Sequence, residues 1–111
     1  MNATTNDDLH GAHAAVLLGQ LVRDTIEVFE QYGLFKPEQN RDMAKDLLFR
    51  ICAVLDGSSF PGVLNDEEIA PFVGFYLAHD TQSPLIPENG SGMHSFVDQA
   101  VNDFYEMRAA G

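Results

Sequence analysis

The chain has 111 residues and a formal net charge of −11, from 6 Lys and Arg against 17 Asp and Glu. Apolar residues make up 45% of it, which is typical of one globular domain with its own core rather than of a disordered acidic chain. The single cysteine excludes a disulfide framework and a metal site built from several thiolates. The acidity argues against nucleic acid and acidic membranes as partners, because both require clusters of Lys and Arg.

The amino-terminal residues show no targeting pattern. Residues 1–8 contain two acids and neither Lys nor Arg, whereas a secretory signal begins with a basic segment before its apolar run. The apolar run over 14–18 is also far shorter than the roughly 20 residues that cross a bilayer. We therefore expect a soluble cytoplasmic protein without membrane association. Residues 1–5 are expected to be disordered, and the chain 1–111 is expected to form a single all-helical domain.

Apolar residues at three- and four-residue steps predict a first helix over about 6–32, ending at Gly33. Its apolar face contains Leu18, Leu21, Val22, Thr25, Val28, Phe29 and Tyr32. A second helix is predicted over about 37–56, with Pro37 as a favourable first residue and Gly57 as its stop. Its apolar face contains Met43, Ala44, Leu47, Leu48, Ile51, Val54 and Leu55.

A third helix is predicted over about 65–79, where Asn65 and the acids that follow it resemble a capping box. Pro71 lies beyond its first turn, so we expect a kink or a new start there. A fourth helix is predicted over about 91–108 from apolar residues spaced 4-3-4-3. Because no segment shows sustained alternation with β-branched residues, no strand is predicted. These patterns together predict an all-α domain of four helices, either a small bundle or an orthogonal array.

Histidines are candidate metal ligands and proton carriers. His10 and His13 lie about one turn apart in the first predicted helix, and His94 and Asp98 lie one turn apart in the fourth. If the two pairs converged, they would form a His/carboxylate site for zinc or iron. The simpler interpretation, which we favour, is that both pairs lie on the surface near helix starts.

The dipeptide His79-Asp80 resembles the centre of the His…His-Asp…Asp pattern of the HD phosphohydrolases, which are helical metal enzymes. The resemblance covers this dipeptide alone, because the upstream histidines His10 and His13 lie more than 60 residues before it. We interpret His79 and Asp80 as the end of the third helix. The alternative function is a metal-dependent hydrolase or a small-molecule-binding bundle that uses these His and Asp residues.

Four phenylalanines fall outside the main apolar faces, and they are Phe35, Phe49, Phe60 and Phe75. Any two that remain exposed together would mark a patch for self-association or for a partner. Homodimerisation is the commonest use of such a surface. No catalytic constellation is recognisable, so we expect neither catalytic residues nor a cofactor. The preferred hypothesis is a non-enzymatic interaction module that forms a homodimer and binds a basic protein, although a saline habitat alone would explain the acidity.

Overall fold

The computed structural model describes residues 4–5, 7–59, 62–87 and 92–111, and within these it combines three helices with two small sheets. The elements in chain order are β1 (Thr4–Thr5), α1 (Asp7–Tyr32), α2 (Pro37–Leu55), β2 (Gly62–Leu64), β3 (Glu67–Ile69), β4 (Phe75–Leu77), β5 (Asp80–Ile86) and α3 (Val97–Ala110). A 3-10 turn over Met93–Phe96 leads directly into α3. The prediction of an all-α, four-helix bundle or array is therefore wrong.

The first two helices lie within one residue of their predicted bounds, and local signals mark the end of α1 and the start of α2. Gly33 adopts the left-handed conformation that terminates α1, with φ of +58°. The Leu34 N–H donates to the Phe29 carbonyl oxygen at 3.1 Å, as in a Schellman-type helix end. At the start of α2, Pro37 occupies the first turn and the Lys36 N–H donates to the Gln39 side chain at 3.2 Å.

The hydrophobic core lies between the three helices and the 3-10 turn. Its fully buried side chains include Leu18, Val22 and Ile26 of α1, Ala44, Leu48 and Cys52 of α2, Met93 of the turn, and Val97 and Val101 of α3. The predicted apolar faces are wider than the core that forms. Val28 and Tyr32 of α1 are exposed, and so in part are five apolar side chains of α2, namely Met43, Leu47, Ile51, Val54 and Leu55.

Strands of both sheets replace the predicted third helix, and the end of that segment, Phe75–Leu77, is a strand of the three-stranded sheet. Strand β4 pairs antiparallel with β5 at Phe75–Leu85 and Leu77–Asp80, with an irregularity between the two pairs. Strand β1 pairs parallel with the other edge of β5, so residues 4–5, which we expected to be disordered, have a partner. Pro71 and Gly74 both disfavour a helix in this segment. Residues 75–77 become a strand because they pair with residues 80–86. The apolar spacing within 65–79 does not indicate this pairing.

The two-stranded sheet is a hairpin in which β2 and β3 pair in the register Leu64–Glu67. The predicted helix start at Asn65 is instead the turn of this hairpin. Asn65 and Asp66 have φ of +53° and +65°, which is the two-residue type I′ geometry that suits the twist of paired strands. Asn and Asp adopt positive φ more readily than other residues with a side chain, so the two residues serve a turn better than a helix cap.

Helix α3 begins at Val97, and the first predicted residue of this helix, at position 91, lies outside the described part of the chain. Arg41 of α2 donates to the Asn102 side chain of α3, and Lys45 forms an ion pair with Asp98 at 2.9 Å. These contacts hold α3 along one side of α2. Of the described helices, none is both long enough and apolar enough to cross a membrane.

Candidate functional site

His10 and His13 each contact a backbone carbonyl oxygen and the ring of Phe75. The Nε2 atom of buried His10 lies 2.5 Å from the Val73 carbonyl oxygen, and its ring centroid lies 5.2 Å from that of Phe75. His13 Nδ1 lies 2.9 Å from the Leu9 carbonyl oxygen, and its ring lies 5.6 Å from the same phenylalanine. A carbonyl oxygen only accepts hydrogen bonds, so both of these nitrogens carry protons. The two rings therefore attach α1 to the sheet.

His79 and Asp80 lie at the exposed connection between β4 and β5. The predicted helix end at this dipeptide is wrong, because the preceding element is the strand Phe75–Leu77. The Asp80 carboxylate accepts a hydrogen bond from the Gln82 N–H at 3.2 Å, which is a local turn contact.

His94 belongs to the most developed polar cluster of the described residues, and its partner is Asp56 rather than Asp98. The buried Asp56 carboxylate accepts hydrogen bonds from the Ser58 N–H at 3.0 Å and the His94 N–H at 3.1 Å. The Nδ1 atom of His94 lies 2.6 Å from the same carboxylate. Burial by itself would raise the pKa of Asp56, but the hydrogen bonds from Ser58 and His94 outweigh it and lower the pKa to about 2.

This cluster connects the end of α2 to the 3-10 turn that leads into α3. A carboxylate that orients a histidine through Nδ1 is also a feature of acid–base sites, in which Nε2 then acts on a substrate or a nucleophile. The Ser58 hydroxyl lies 3.3 Å from Nδ1 of His94, the nitrogen that already contacts Asp56. Within the described residues, no hydroxyl or thiol makes a hydrogen bond to Nε2, the nitrogen that would act as the base. His94 and Phe49, whose rings meet edge to face at 5.2 Å, border a shallow depression of about 360 Å³. We assign the cluster a structural role.

The six candidate metal ligands do not converge on one site, although His94 and Asp98 line the same shallow depression. His10 and His13 lie against Phe75, His79 and Asp80 lie at an exposed connection, His94 contacts Asp56, and Asp98 pairs with Lys45. Of the residues that the structure describes, no three His, Cys, Asp or Glu side chains form a group able to hold a metal ion. The metal-dependent alternative requires the His and Asp side chains to converge, and those among the described residues do not.

Cys52 is fully buried in the core. Burial raises the pKa of its thiol to about 11, and the nearby charge of Asp56 adds to that effect. A nucleophilic cysteine requires a lowered pKa, so this thiol is a packing residue.

The phenylalanines predicted as interface candidates differ in their surroundings. Phe49 is half-exposed, whereas Phe75 packs on the two histidines of α1 and Phe35 meets Phe29 edge to face at 5.0 Å. Phe60 lies outside the described residues. Other large apolar side chains are more exposed than these, and they include Val16, Phe72, Phe96 and Met107. Val16 was identifiable from the sequence, because it lies about 160° around the helix from the core residue Leu18.

Three apolar surfaces stand out in the described structure. The outer α2 face consists of Met43, Leu47, Ile51 and Val54, each between 38% and 42% exposed. The hairpin arm consists of β2 and β3, where Val63, Leu64 and Ile69 are exposed. The α1–α3 groove is a depression of about 580 Å³ between these two helices, with the exposed side chains of Val16, Phe96 and Met107 in its lining.

No family model, curated protein or solved structure matches the chain. What the protein does is therefore inferred from its own surfaces.

Proposed function

We propose that the protein is an interaction module that acts as a homodimer, and the amount of surface it exposes carries this proposal. The chain exposes 7623 Å², whereas a folded monomer of 12.2 kDa exposes about 6,100 Å². Its radius of gyration is 15.9 Å, against about 13 Å for a compact domain of this length. The excess area is about 1,500 Å², and a standard interface covers about 800 Å² on each partner.

The outer α2 face is the first part of the proposed interface. Its four side chains lie within about 80° of one another around the helix, next to the buried face of Ala44 and Leu48. They form a continuous apolar strip along three turns of α2. Strips of this kind are covered in stable homodimers, whose interfaces are richer in apolar side chains than the rest of the surface.

The hairpin arm is the second part. An isolated two-stranded hairpin is at best marginally stable in water, and a covering surface normally supports it. Here Leu64 and Val63 are each 63% exposed, and Ile69 is exposed as well. The arm leaves the end of α2 and returns beside it, where the Pro71 carbonyl oxygen approaches Gly57. We place the arm in the same interface because its exposed apolar side chains follow directly after α2 in the chain.

The charge of the module supports a basic protein as its further partner. With a net charge of −11 on each chain, the dimer would have an acidic rim around its apolar surfaces. Such a rim accelerates the approach of a basic partner and repels nucleic acid. We also propose a cytoplasmic location. The free, buried thiol of Cys52 supports it, because unpaired cysteines suit a reducing compartment.

The oligomeric state tests the proposal. Analytical ultracentrifugation over a wide concentration range should give twice the 12.2 kDa chain mass, with dissociation on dilution. Leu47→Glu on the outer α2 face and Leu64→Glu on the hairpin arm should each raise the dimer dissociation constant at least about tenfold, because a carboxylate would be buried at the interface. Far-ultraviolet circular dichroism should show that both variants keep the helical content of the wild type.

Leu34→Glu is the matched control, since Leu34 is an exposed leucine in the connection between α1 and α2 that belongs to neither surface. It should leave the dimer dissociation constant within about twofold of the wild-type value. A wild-type protein that remains monomeric up to millimolar concentration would rule out the homodimer. A dimer that survives both glutamate substitutions would exclude these two surfaces as its interface.

A further inference from the structure

The outer α2 face has charged side chains along one edge and the hydrophobic core along the other. Of the charged residues of α2, a helix that is described over its whole length, Asp46 and Arg50 lie nearest this face, within about 60° of Met43 around the helix. Their side chains are 66% and 76% exposed, and the Arg50 Nε atom donates to the Asp46 carboxylate at 3.2 Å. Along the opposite edge, Ala44 and Leu48 are buried in the core. The face therefore has a single charged edge, which consists of one acid and one base.

This charged edge limits how a second copy can be seated on the outer α2 face. When two identical helices pack parallel about a two-fold axis, each edge of one helix meets the opposite edge of the other, so the charges would face the side of the core. When the helices pack antiparallel, the same edge of each helix meets, and the acid and base of one copy face those of the other. Antiparallel packing also brings opposite ends of the two helix dipoles together. Only the antiparallel arrangement therefore complements the charges.

The apolar side chains and the charges agree on the position of the two-fold axis. In an antiparallel pair, two residues lie opposite each other when the axis passes midway between them along the helix. Three pairs would meet across an axis at about positions 48 to 49, namely Met43 with Val54, Leu47 with Ile51, and Asp46 with Arg50. The midpoints of these pairs differ by about 1.5 Å along the helix. One placement of the second copy therefore covers the apolar strip and brings each charge opposite its counterpart.

We propose that two copies of the chain pack their outer α2 faces antiparallel, with Arg50 of each copy bound to Asp46 of the other. This inference rests on the proposed homodimer and adds its orientation and the residues that select it. The apolar strip supplies affinity, because its side chains lose their contact with water. The two symmetric ion pairs disfavour other orientations and other apolar helices, since those leave the charges against apolar surface or like charge.

Charge reversal tests the pairing of the charged edges. Arg50→Asp gives the edge two acids and Asp46→Arg gives it two bases, so each variant should have a dimer dissociation constant at least about tenfold above the wild-type value in sedimentation equilibrium. An equimolar mixture of the two variants should form a heterodimer within about threefold of the wild-type affinity, because an acidic edge then meets a basic one. The double variant with both substitutions should dimerise equally well.

Two matched variants control for the change in net charge. Arg23→Asp and Asp42→Arg make the same changes of charge at exposed positions outside the outer α2 face. Each should leave the dimer dissociation constant within about threefold of the wild-type value, and mixing the two should not tighten the dimer. Far-ultraviolet circular dichroism should show that all of these variants keep the helical content of the wild type.

Spin labels test the antiparallel orientation. Glu38 and Asp42 are exposed residues one turn apart near the start of α2, and Cys52 is buried, so a label attaches to a cysteine introduced at either position. In the antiparallel dimer, position 38 lies further from the two-fold axis than position 42. Double electron–electron resonance should therefore give a label separation about 10 Å longer for Glu38→Cys than for Asp42→Cys. In a parallel dimer the two separations would be equal.

Failure of the antiparallel arrangement differs from failure of the homodimer. A wild-type chain that remains monomeric would overturn both proposals. A wild-type dimer whose label separations at positions 38 and 42 are equal would overturn the antiparallel orientation alone. A dimer that is insensitive to Arg50→Asp and Asp46→Arg, or a mixture of these variants that recovers no affinity, would overturn the pairing of the charged edges.

Discussion

His10 Nε2 donates a hydrogen bond to the carbonyl oxygen of Val73, a residue 63 positions further along the chain, over 2.5 Å. The imidazole is 2% exposed, and the Phe75 ring lies beside it. This contact attaches the first turns of α1 to the segment that enters β4. It gives a structural role to a histidine that the sequence presented as a candidate ligand.

His10→Ala should lower the free energy of unfolding by about 2 kcal/mol, because it leaves the Val73 carbonyl without its donor and removes ring packing. Urea denaturation monitored by circular dichroism measures the change. His13→Ala is the control: its hydrogen bond is made one turn away on the same helix, so the loss should stay below about 1 kcal/mol. Equal losses in the two variants would contradict the role assigned to His10.

The pH dependence of stability should reflect Asp56. Its pKa is about 2 in the folded protein and 3.8 in the reference state, so the folded state favours the ionised carboxylate. The resulting stabilisation is present above pH 3.8 and is lost as the pH falls towards 2. Its size is on the order of 2 kcal/mol.

Asp56→Asn should therefore be less stable than the wild type at pH 6, and the difference should shrink as the pH approaches 2. Urea titrations at several pH values test this. Asp46→Asn removes the exposed pair with Arg50 and should cost less than about 1 kcal/mol at pH 6. A difference between Asp56→Asn and the wild type that stayed constant from pH 6 to pH 2 would exclude the carboxylate charge as its cause.

Cys52 should react slowly with a thiol reagent such as 5,5′-dithiobis(2-nitrobenzoate) in the native protein. The thiol is buried, and its pKa of about 11 leaves little thiolate at pH 8. The reaction should become fast in denaturing urea, where the side chain is exposed and has its ordinary pKa. Rapid labelling of the folded protein would mean that the core opens around α2.

Two glycines should respond to alanine in opposite directions. Gly57 has φ of +83°, and an added Cβ would lie 2.9 Å from the Pro71 carbonyl oxygen, so Gly57→Ala should cost about 2 kcal/mol or more. Gly19 is helical with open space above it, so Gly19→Ala should stabilise α1 by up to about 1 kcal/mol. Thermal melting of the two variants against the wild type measures both effects.

Sequence reasoning succeeds for α1 and α2 and fails for the predicted third helix over 65–79. Gly33 and Pro37 define the ends of α1 and α2 by backbone preference, which is a local property. In residues 65–79 the apolar spacing also fits a helix, yet the segment forms strands because β4 pairs with β5 and Asn65 and Asp66 form a turn. Strand pairing depends on a partner elsewhere in the chain, so a local pattern does not reveal it.

In the candidate site, too, local residues were recognisable from the sequence but their distant partners were not. His94 was recognisable from the sequence as a titratable residue, but its partner Asp56 lies 38 positions away and was not identified. Likewise, the sequence named four phenylalanines as candidates for exposed aromatic surface, and of these Phe49 is half-exposed. Phe75 and Phe35 are largely covered by neighbours, whereas Phe96 and Met107 border the groove.

By itself the sequence determined the acidity of the protein, the absence of a disulfide framework and the bounds of α1 and α2, since these follow from composition and from local backbone preferences. The tertiary structure alone decided how much of each predicted apolar face is buried, which histidines find partners, and where apolar surface remains exposed. Burial is a property of the packed chain: a side chain is covered only if another element reaches it, and that depends on contacts between residues far apart in sequence.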